Sequence, residues 1–245
     1  MGYTVILPTL NEKGHIVKLI KEIQAVFIAS NQNYEIIVVD DNSKDGTIDL
    51  IKKIENDHDN LQLFVRENLK KNLAKSINLG IKKSKYENII WMDADFQHPP
   101  DHIKLFYTYQ KSYDVVIFSR FLNESIRYYD EDPSKKDVNE NQSIFFNKLC
   151  KFFLYKDITD YTSGYICIKK KILKNYTLQG YYGDYFINLI THCKKNNYSF
   201  IEIPFKERER YSGSSKTIVD YSLNYLITCI FYFLSLLKNY IKKFF

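Results

Sequence analysis

Asn88-Ile89-Ile90-Trp91-Met92-Asp93-Ala94-Asp95-Phe96-Gln97-His98-Pro99-Pro100 joins an apolar run to a pair of carboxylates. Asn88 to Met92 is short, continuous and apolar, which predicts a strand buried on both faces. Asp93 and Asp95 follow where such a strand would leave its sheet. In an extended segment residues i and i+2 project to the same side, so the two carboxylates converge on one point, with Gln97 next in line. Two carboxylates and an amide oxygen form a hard-oxygen set suited to Mg²⁺ or Mn²⁺, ions that keep positions for water and substrate phosphates. Taken alone, Asp-x-Asp before Pro99-Pro100 is more often a solvated turn, because turn chemistry favours aspartate. The rest of the chain decides between the two.

Working back toward the start, Thr4-Val5-Ile6-Leu7 is a short strand stopped by Pro8, and Ile16, Leu19, Ile20, Ile23, Val26 and Phe27 follow at helical spacing. Glu35-Ile36-Ile37-Val38-Val39 is a β-branched run of the kind that buries both faces, and Ile48, Ile51 and Ile54 mark the next helix. Leu61-Gln62-Leu63-Phe64-Val65 is a third strand, with a helix over residues 72–83 before the strand at Asn88. Beyond the carboxylates, Asp114-Val115-Val116-Ile117-Phe118 is another strand. Strands alternating with helices predict an α/β fold with right-handed crossovers and a mostly parallel sheet. In such sheets ligands bind outside the carboxyl ends of the strands, where Glu12, Asp41, Asp93 and Asp95 all fall. Four acidic groups at one edge are hard to explain as solubility.

The 245 residues suffice for one large domain with a short appendage, and 35 Lys+Arg against 29 Asp+Glu give +6. That excess is compatible with phosphate-bearing ligands or an anionic membrane surface, and no RNA-binding aromatic signature or zinc-finger spacing points to nucleic acid. Cys150, Cys167, Cys193 and Cys229 form no Cys-x-x-Cys pair, which predicts a reducing compartment. No basic and apolar leader precedes Tyr3, so a cytoplasmic catalytic part is expected. Eight glycines include no Gly-x-Gly-x-x-Gly or Walker loop, which disfavours a dehydrogenase or a P-loop phosphotransferase.

Pro8-Thr9-Leu10-Asn11-Glu12, Asp40-Asp41-Asn42-Ser43 with Asp45-Gly46-Thr47, and Asp93-Ala94-Asp95-Phe96-Gln97-His98-Pro99-Pro100 together resemble family 2 inverting glycosyltransferases, in particular the dolichol-phosphate mannose synthases and bacterial polyprenyl-phosphate relatives. Thr162-Ser163-Gly164-Tyr165 resembles that group's Thr-Ser-Gly-Phe segment, and Arg210 with Ser212-Gly213-Ser214-Ser215-Lys216 its closing Arg-x-x-Gly-x-Ser-Lys motif. The resemblance implies the GT-A fold over residues 1–217, a nucleotide-diphosphate-sugar donor and a divalent metal, Mg²⁺ or Mn²⁺. By the same resemblance Pro8, Leu10, Glu12, Val39 and Asp41 contact the nucleotide, with Leu10 standing where many relatives carry tyrosine. Asp93, Ala94, Asp95 and Gln97 form the metal and donor site, with Asp93, Asp95 and Gln97 as ligands. Arg120, Arg210 and Lys216 match cationic phosphate contacts, Arg120 being grouped with Asp93 and Asp95 as catalytic. The implied reaction is transfer of a hexose, mannose from GDP-mannose by that likeness, to a polyprenyl phosphate.

Several residues have plainer readings. Asp40-Asp41-Asn42-Ser43 would serve as a helix cap, His98 as support for the Pro99-Pro100 turn, and Lys206, Glu207, Arg208 and Glu209 as a solvated charge run. A sugar-hydroxyl acceptor would need a general base, for which Asp184 is the candidate, although a helix cap suits it better. A non-catalytic nucleotide-sugar-binding protein is the remaining alternative. The sequence departs from the resemblance most between Phe121 and Leu154, where a glycine-rich loop and paired arginines give way to Tyr129-Asp130-Glu131-Asp132-Pro133, leaving Arg127, Lys148 and Lys151 as substitutes. Residues 218–245 form an apolar, aromatic tail ending in Lys238, Lys242 and Lys243. It is at the short limit for a spanning helix, so a membrane-associated segment on the cytoplasmic face is expected, peripheral or C-terminally anchored.

Overall fold

The computed structural model describes residues 1–211 except 68, 137, 181 and 182, together with Ile227 and Ile230. Lys216, its Ser/Gly segment and the rest of the tail lie outside the described residues. The chain alternates β1 (Gly2–Thr9), α1 (Ile16–Ala29), β2 (Asn33–Asp40), α2 (Thr47–Glu55), β3 (Leu61–Val65), α3 (Leu73–Lys83) and β4 (Asn88–Trp91). It continues with α4 (Ile103–Tyr109), β5 (Val115–Ser119), α5 (Val138–Phe153), β6 (Ile166–Lys169), α6 (Lys170–Leu173), α7 (Asp184–Lys195) and β7 (Phe200–Pro204). One seven-stranded sheet results, in the order β3-β2-β1-β4-β6-β5-β7. All its pairings are parallel except those of β6, which runs antiparallel to both β4 and β5.

The β-branched runs form strands because both of their faces are covered. Ile6, Ile37, Val39, Ile89 and Trp91 point into one core, with Ala74 and Ile77 of α3, Phe146 and Cys150 of α5, and Phe186 and Leu189 of α7. Val5, Leu7, Ile36, Val38 and Ile90 point into the other, against Leu19, Ile20, Ile23 and Phe27 of α1 and Phe106 of α4. Each such side chain, fully buried, contributes about 1.5–3 kcal/mol relative to exposure. Asn72 caps α3 by accepting from the Lys75 N–H at 2.8 Å.

β1 does not stop at Pro8; it pairs with β2 through Thr9, while its ladder with β4 ends at Ile6 opposite Trp91. Pro8 therefore lies beyond the β4 ladder, where its missing N–H breaks no bond on that side. The early end of that ladder also leaves the ends of β1 and β4 free to turn outward at the carboxyl edge. Among the described residues no helix is long and apolar enough to cross a membrane.

α3 packs closely on β1, because a Cβ at Gly80 would stand 2.6 Å from Cγ2 of the buried Ile6. Gly80→Val should therefore lose about 1–3 kcal/mol of stability in urea unfolding through overpacking. A variant as stable as the parent would show that the contact relaxes freely.

Candidate active site

The carboxylates after β4 are gathered by a turn and not by an extended strand. Regular pairing ends at Trp91, Asp95 Oδ1 accepts from the Gln97 N–H at 3.0 Å, and Phe96 adopts φ +72°. That left-handed conformation is uncommon for an aromatic residue. It is held by burial of the ring beside Tyr211, 5.5 Å between centroids, and His15, 6.1 Å. Asp95 is only 3% exposed. Burial first, and then the neighbouring Asp93, push its carboxyl above the usual range, while Arg210 and His98 oppose the rise.

The residue that relieves Asp95 comes from the far end of the sheet. Arg210 Nη1 lies 2.5 Å from Asp95 Oδ2, and its Nη2 donates to Gln97 Oε1 at 2.9 Å. The backbone after β7 is laid against the turn, with Arg208 N–H donating to Gln97 O at 3.2 Å and Tyr211 N–H to Asp95 O at 3.0 Å. A guanidinium thus stands on two of the three oxygen donors expected to hold a metal. Asp93 is half-buried beside them and Ala94 is buried between the two carboxylates.

His98 supports this turn from beneath. Its Nδ1 accepts from the Asp93 N–H at 2.9 Å, its ring stacks on Tyr165 at 4.7 Å, and the Tyr165 hydroxyl donates to Pro99 O at 2.8 Å. Burial lowers the His98 pKa to about 4, so the ring is neutral and has a structural task. Gly164 at φ +70° passes close to the His98 and Tyr185 rings.

On the nucleotide side Val39 is fully buried, whereas Pro8 and Leu10 are half-buried at the edge. Glu12 is buried, its Oε2 3.0 Å from His15 Nε2, and its N–H donates to Thr47 Oγ1 at 2.9 Å. Asp40 takes the capping-type role, accepting from Ser43 N–H at 2.7 Å and Thr9 Oγ1 at 3.0 Å. Asp41 instead pairs with Arg66 and accepts from the Asn72 N–H at 2.8 Å. Sequence reasoning misses Arg66, although its place one residue beyond β3 puts it at the carboxyl edge where ligands bind.

At the end of β5 Arg120 is no surface arginine. Its Nε and Nη2 grip the two oxygens of buried Asp160 at 2.9 and 3.1 Å, and Nη2 also donates to Thr162 Oγ1 at 2.7 Å. Despite burial, Arg120 holds the Asp160 carboxyl below its usual range. Glu202 accepts from the Thr159 and Asp160 N–H groups at 2.7 and 2.8 Å, fixing the loop that carries the acid. Sequence reasoning misses Asp160 too, and its nearest signal is the Thr162-Ser163-Gly164 motif two residues on. Asp184 is the first residue of α7, one position after its cap Gly183, and its buried carboxylate lies against Gly180. Of the proposed substitutes, Arg127 pairs with Asp130 at 3.0 Å and Lys148 is exposed.

Glu207 corrects the expectation of a solvated charge run, since it is 4% exposed. Ile126 and Lys206 form a parallel bridge, and Glu207 N–H donates to Ile126 O at 2.8 Å, which draws the side chain under the 126–136 segment. Burial raises its pKa to about 8, opposed by Arg120 and reinforced by Glu140 and Asp160. An acid whose folded pKa is raised is protonated in the native state while the unfolded chain ionises, so native stability falls as pH rises between the two values. Glu207→Gln removes that liability. Its stability relative to the parent should climb from about pH 4.3, the ordinary glutamate value, to about pH 8, and level off above. Parallel pH–stability curves for the two proteins would contradict the burial argument.

The sheet has known counterparts. A dolichol-phosphate mannosyltransferase from Pyrococcus furiosus is 29% identical over 231 residues, covering 90% of this chain, which spans 62% of that enzyme's length. An undecaprenyl-phosphate 4-deoxy-4-formamido-L-arabinose transferase from Edwardsiella ictaluri is 26% identical over 93% of this chain and 67% of its own. Among solved structures, glucosyl-3-phosphoglycerate synthase from Mycobacterium tuberculosis, in complex with Mn²⁺, UDP and phosphoglyceric acid, superposes with a TM-score of 0.69 at 14% identity. That superposition covers 93% of this chain and 76% of the synthase, a likeness of fold that makes the architecture GT-A-like. The sequence pattern of glycosyl transferase family 2 matches residues 4–177, and the chain belongs to that family.

Proposed function

We propose that this chain is an inverting transferase that moves a hexose, mannose from GDP-mannose being the first donor to test, onto a polyprenyl (dolichyl-type) phosphate at the cytoplasmic surface of a membrane. The observation that carries the reading is the charge arrangement after β4, where a 3% exposed carboxylate beside Asp93 and Gln97 is neutralised by an arginine from another part of the chain. A point that accepts a cation and delivers a guanidinium suits a metal–diphosphate. The polyprenyl-phosphate relatives support the acceptor class, and the Mn²⁺–UDP complex of the structural relative supports the cofactor class.

Asp93, Asp95 and Gln97 would hold Mg²⁺ or Mn²⁺, which supplies positive charge for the departing diphosphate. Arg210, exchanged off Asp95, would turn to the diphosphate oxygens, with Lys216 joining it. Pro8, Leu10, Glu12, Val39 and Asp41 would seat the nucleoside. His98 keeps the Asp93 backbone in place, so the turn is organised before ligand arrives. A lipid phosphate, with a second pKa of about 6, already carries an anionic nucleophile near neutral pH. No side chain then has to take a proton, and positioning carries most of the catalysis.

One observation favours a second reading. Arg120 is already neutralised by Asp160, with Glu140 adding negative charge nearby, which suits a glycan hydroxyl better than a phosphate. Such an acceptor needs a base, for which Asp184 is the candidate. Turnover of a sugar hydroxyl but of no polyprenyl phosphate would select it.

Asp95→Asn should lower kcat by about 100-fold or more while leaving the circular dichroism spectrum unchanged, since lost transition-state charge stabilisation is of that size. Excess chelator should do the same to the parent, and a thermal-shift screen of GDP- and UDP-sugars with Mn²⁺ should reveal the donor by stabilisation. Full activity in chelator or in Asp95→Asn would overturn the metal assignment.

A further inference from the structure

α5 carries two faces of different character. Toward the protein it buries Phe146 and Cys150, and it brings Ser143 within 3.4 Å of Arg120 Nη2 and Asn147 within 3.4 Å of Asp160. Toward solvent it presents Asn141, Phe145, Lys148 and Phe152, whose spacing puts them on one stripe of the helix. Solvent faces of helices are ordinarily polar. Here Phe145 is 59% and Phe152 75% exposed, the latter the most exposed large apolar side chain among the described residues.

The charges around this stripe have one sign. Lys148 lies on it, Lys151 and Lys156 flank its C-terminal end, and the nearest exposed acid there, Asp157, is paired with Lys194. Glu140, in the first turn, faces the Arg120 side. Aromatic rings beside lysines on long stems match the boundary between acyl chains and anionic headgroups, where rings enter the apolar layer and ammonium groups remain with phosphates.

We propose that the Phe145–Lys148–Phe152 face of α5 docks on an anionic lipid surface. The inference rests on the lipid-phosphate reading of the acceptor and names the surface that would deliver it. Ser143, beside Arg120, lies across the same helix from the docking face. Lipid headgroups held by that face would therefore lie about 10 Å, one helix diameter, from the loop that carries Arg120.

Trp91 is the single tryptophan and is 1% exposed, so Phe152→Trp places a second reporter on the face itself in the full-length chain. With vesicles of phosphatidylcholine and phosphatidylglycerol, emission from the introduced indole should shift to the blue and be quenched by brominated acyl chains. Phosphatidylcholine alone, or high salt, should weaken both effects. Adding Phe145→Ser should lower vesicle affinity about tenfold with the thermal midpoint unchanged. Protein that sediments with vesicles while the new tryptophan stays unshifted and unquenched would overturn the proposal, because another part of the chain would then be the anchor. A blue shift that grows with protein concentration in the absence of vesicles would overturn it in favour of a second copy of the chain. Turnover of a short polyprenyl phosphate in detergent, measured in parallel, separates the two claims: its absence alongside normal insertion overturns the acceptor reading and leaves docking standing.

Discussion

A carboxylate withdrawn from water has to meet a positive charge or give up its own. Asp95 is withdrawn by the turn after β4, whose backbone doubles back through the left-handed Phe96 and seals under Tyr211. Satisfying that one group ties the turn after the central strand β4 to the chain leaving the edge strand β7, because the arginine that does so arrives only after β7 has been laid down. The backbone bonds of Arg208 and Tyr211 to the turn, the packing of His15 and Phe96, and the cation stack of Lys18 over Tyr211 at 4.8 Å all follow from bringing Arg210 to that point. The turn after β4 is held by electrostatics within the chain itself.

The parallel half of the fold was legible because its signals are local. Leu61 to Val65 is a strand with the predicted bounds, and Asn72 caps the helix expected there. Apolar runs of that length, spaced by helices, leave few alternatives. β6 and β7 gave no comparable pattern, being short and separated by irregular chain, and the antiparallel placement of β6 depends on a return path that no local window records. The site shows the same division. Asp93, Asp95, Gln97 and Arg210 do meet, whereas Asp160, Arg66 and the burial of Glu207 emerge only from long-range contacts. Charged residues read as surface by default, and only tertiary structure shows which of them are covered.

The two buried ion pairs at the carboxyl edge differ in how their charge is managed. Near Asp95 a single arginine, itself partly exposed, balances a buried acid. Near Arg120 the guanidinium is held by both oxygens of Asp160, by Thr162 and by Ser143, so its charge is fixed in place. Breaking a buried pair of that kind leaves an uncompensated charge, at a cost of about 3–5 kcal/mol. One side thus rests on a single partly exposed arginine and the other on a buried network.

That rigid pair sits at a particular place in the connectivity. Arg120 is the first residue after β5, and Asp160 lies just ahead of β6, its antiparallel neighbour. Together they clasp the neck of the long excursion between the two strands, the part of the chain that contains α5. A loop closed at its neck transmits little of its own variation to the strands on either side. Its solvent-facing residues can be exchanged or recharged while the sheet keeps its register, whereas Phe146 and Cys150 belong to the core and Ser143 and Asn147 to the clasp itself. The region where this sequence departs most from the motifs it resembles is therefore held apart from the carboxylates after β4, and a change on its outer face need not disturb them.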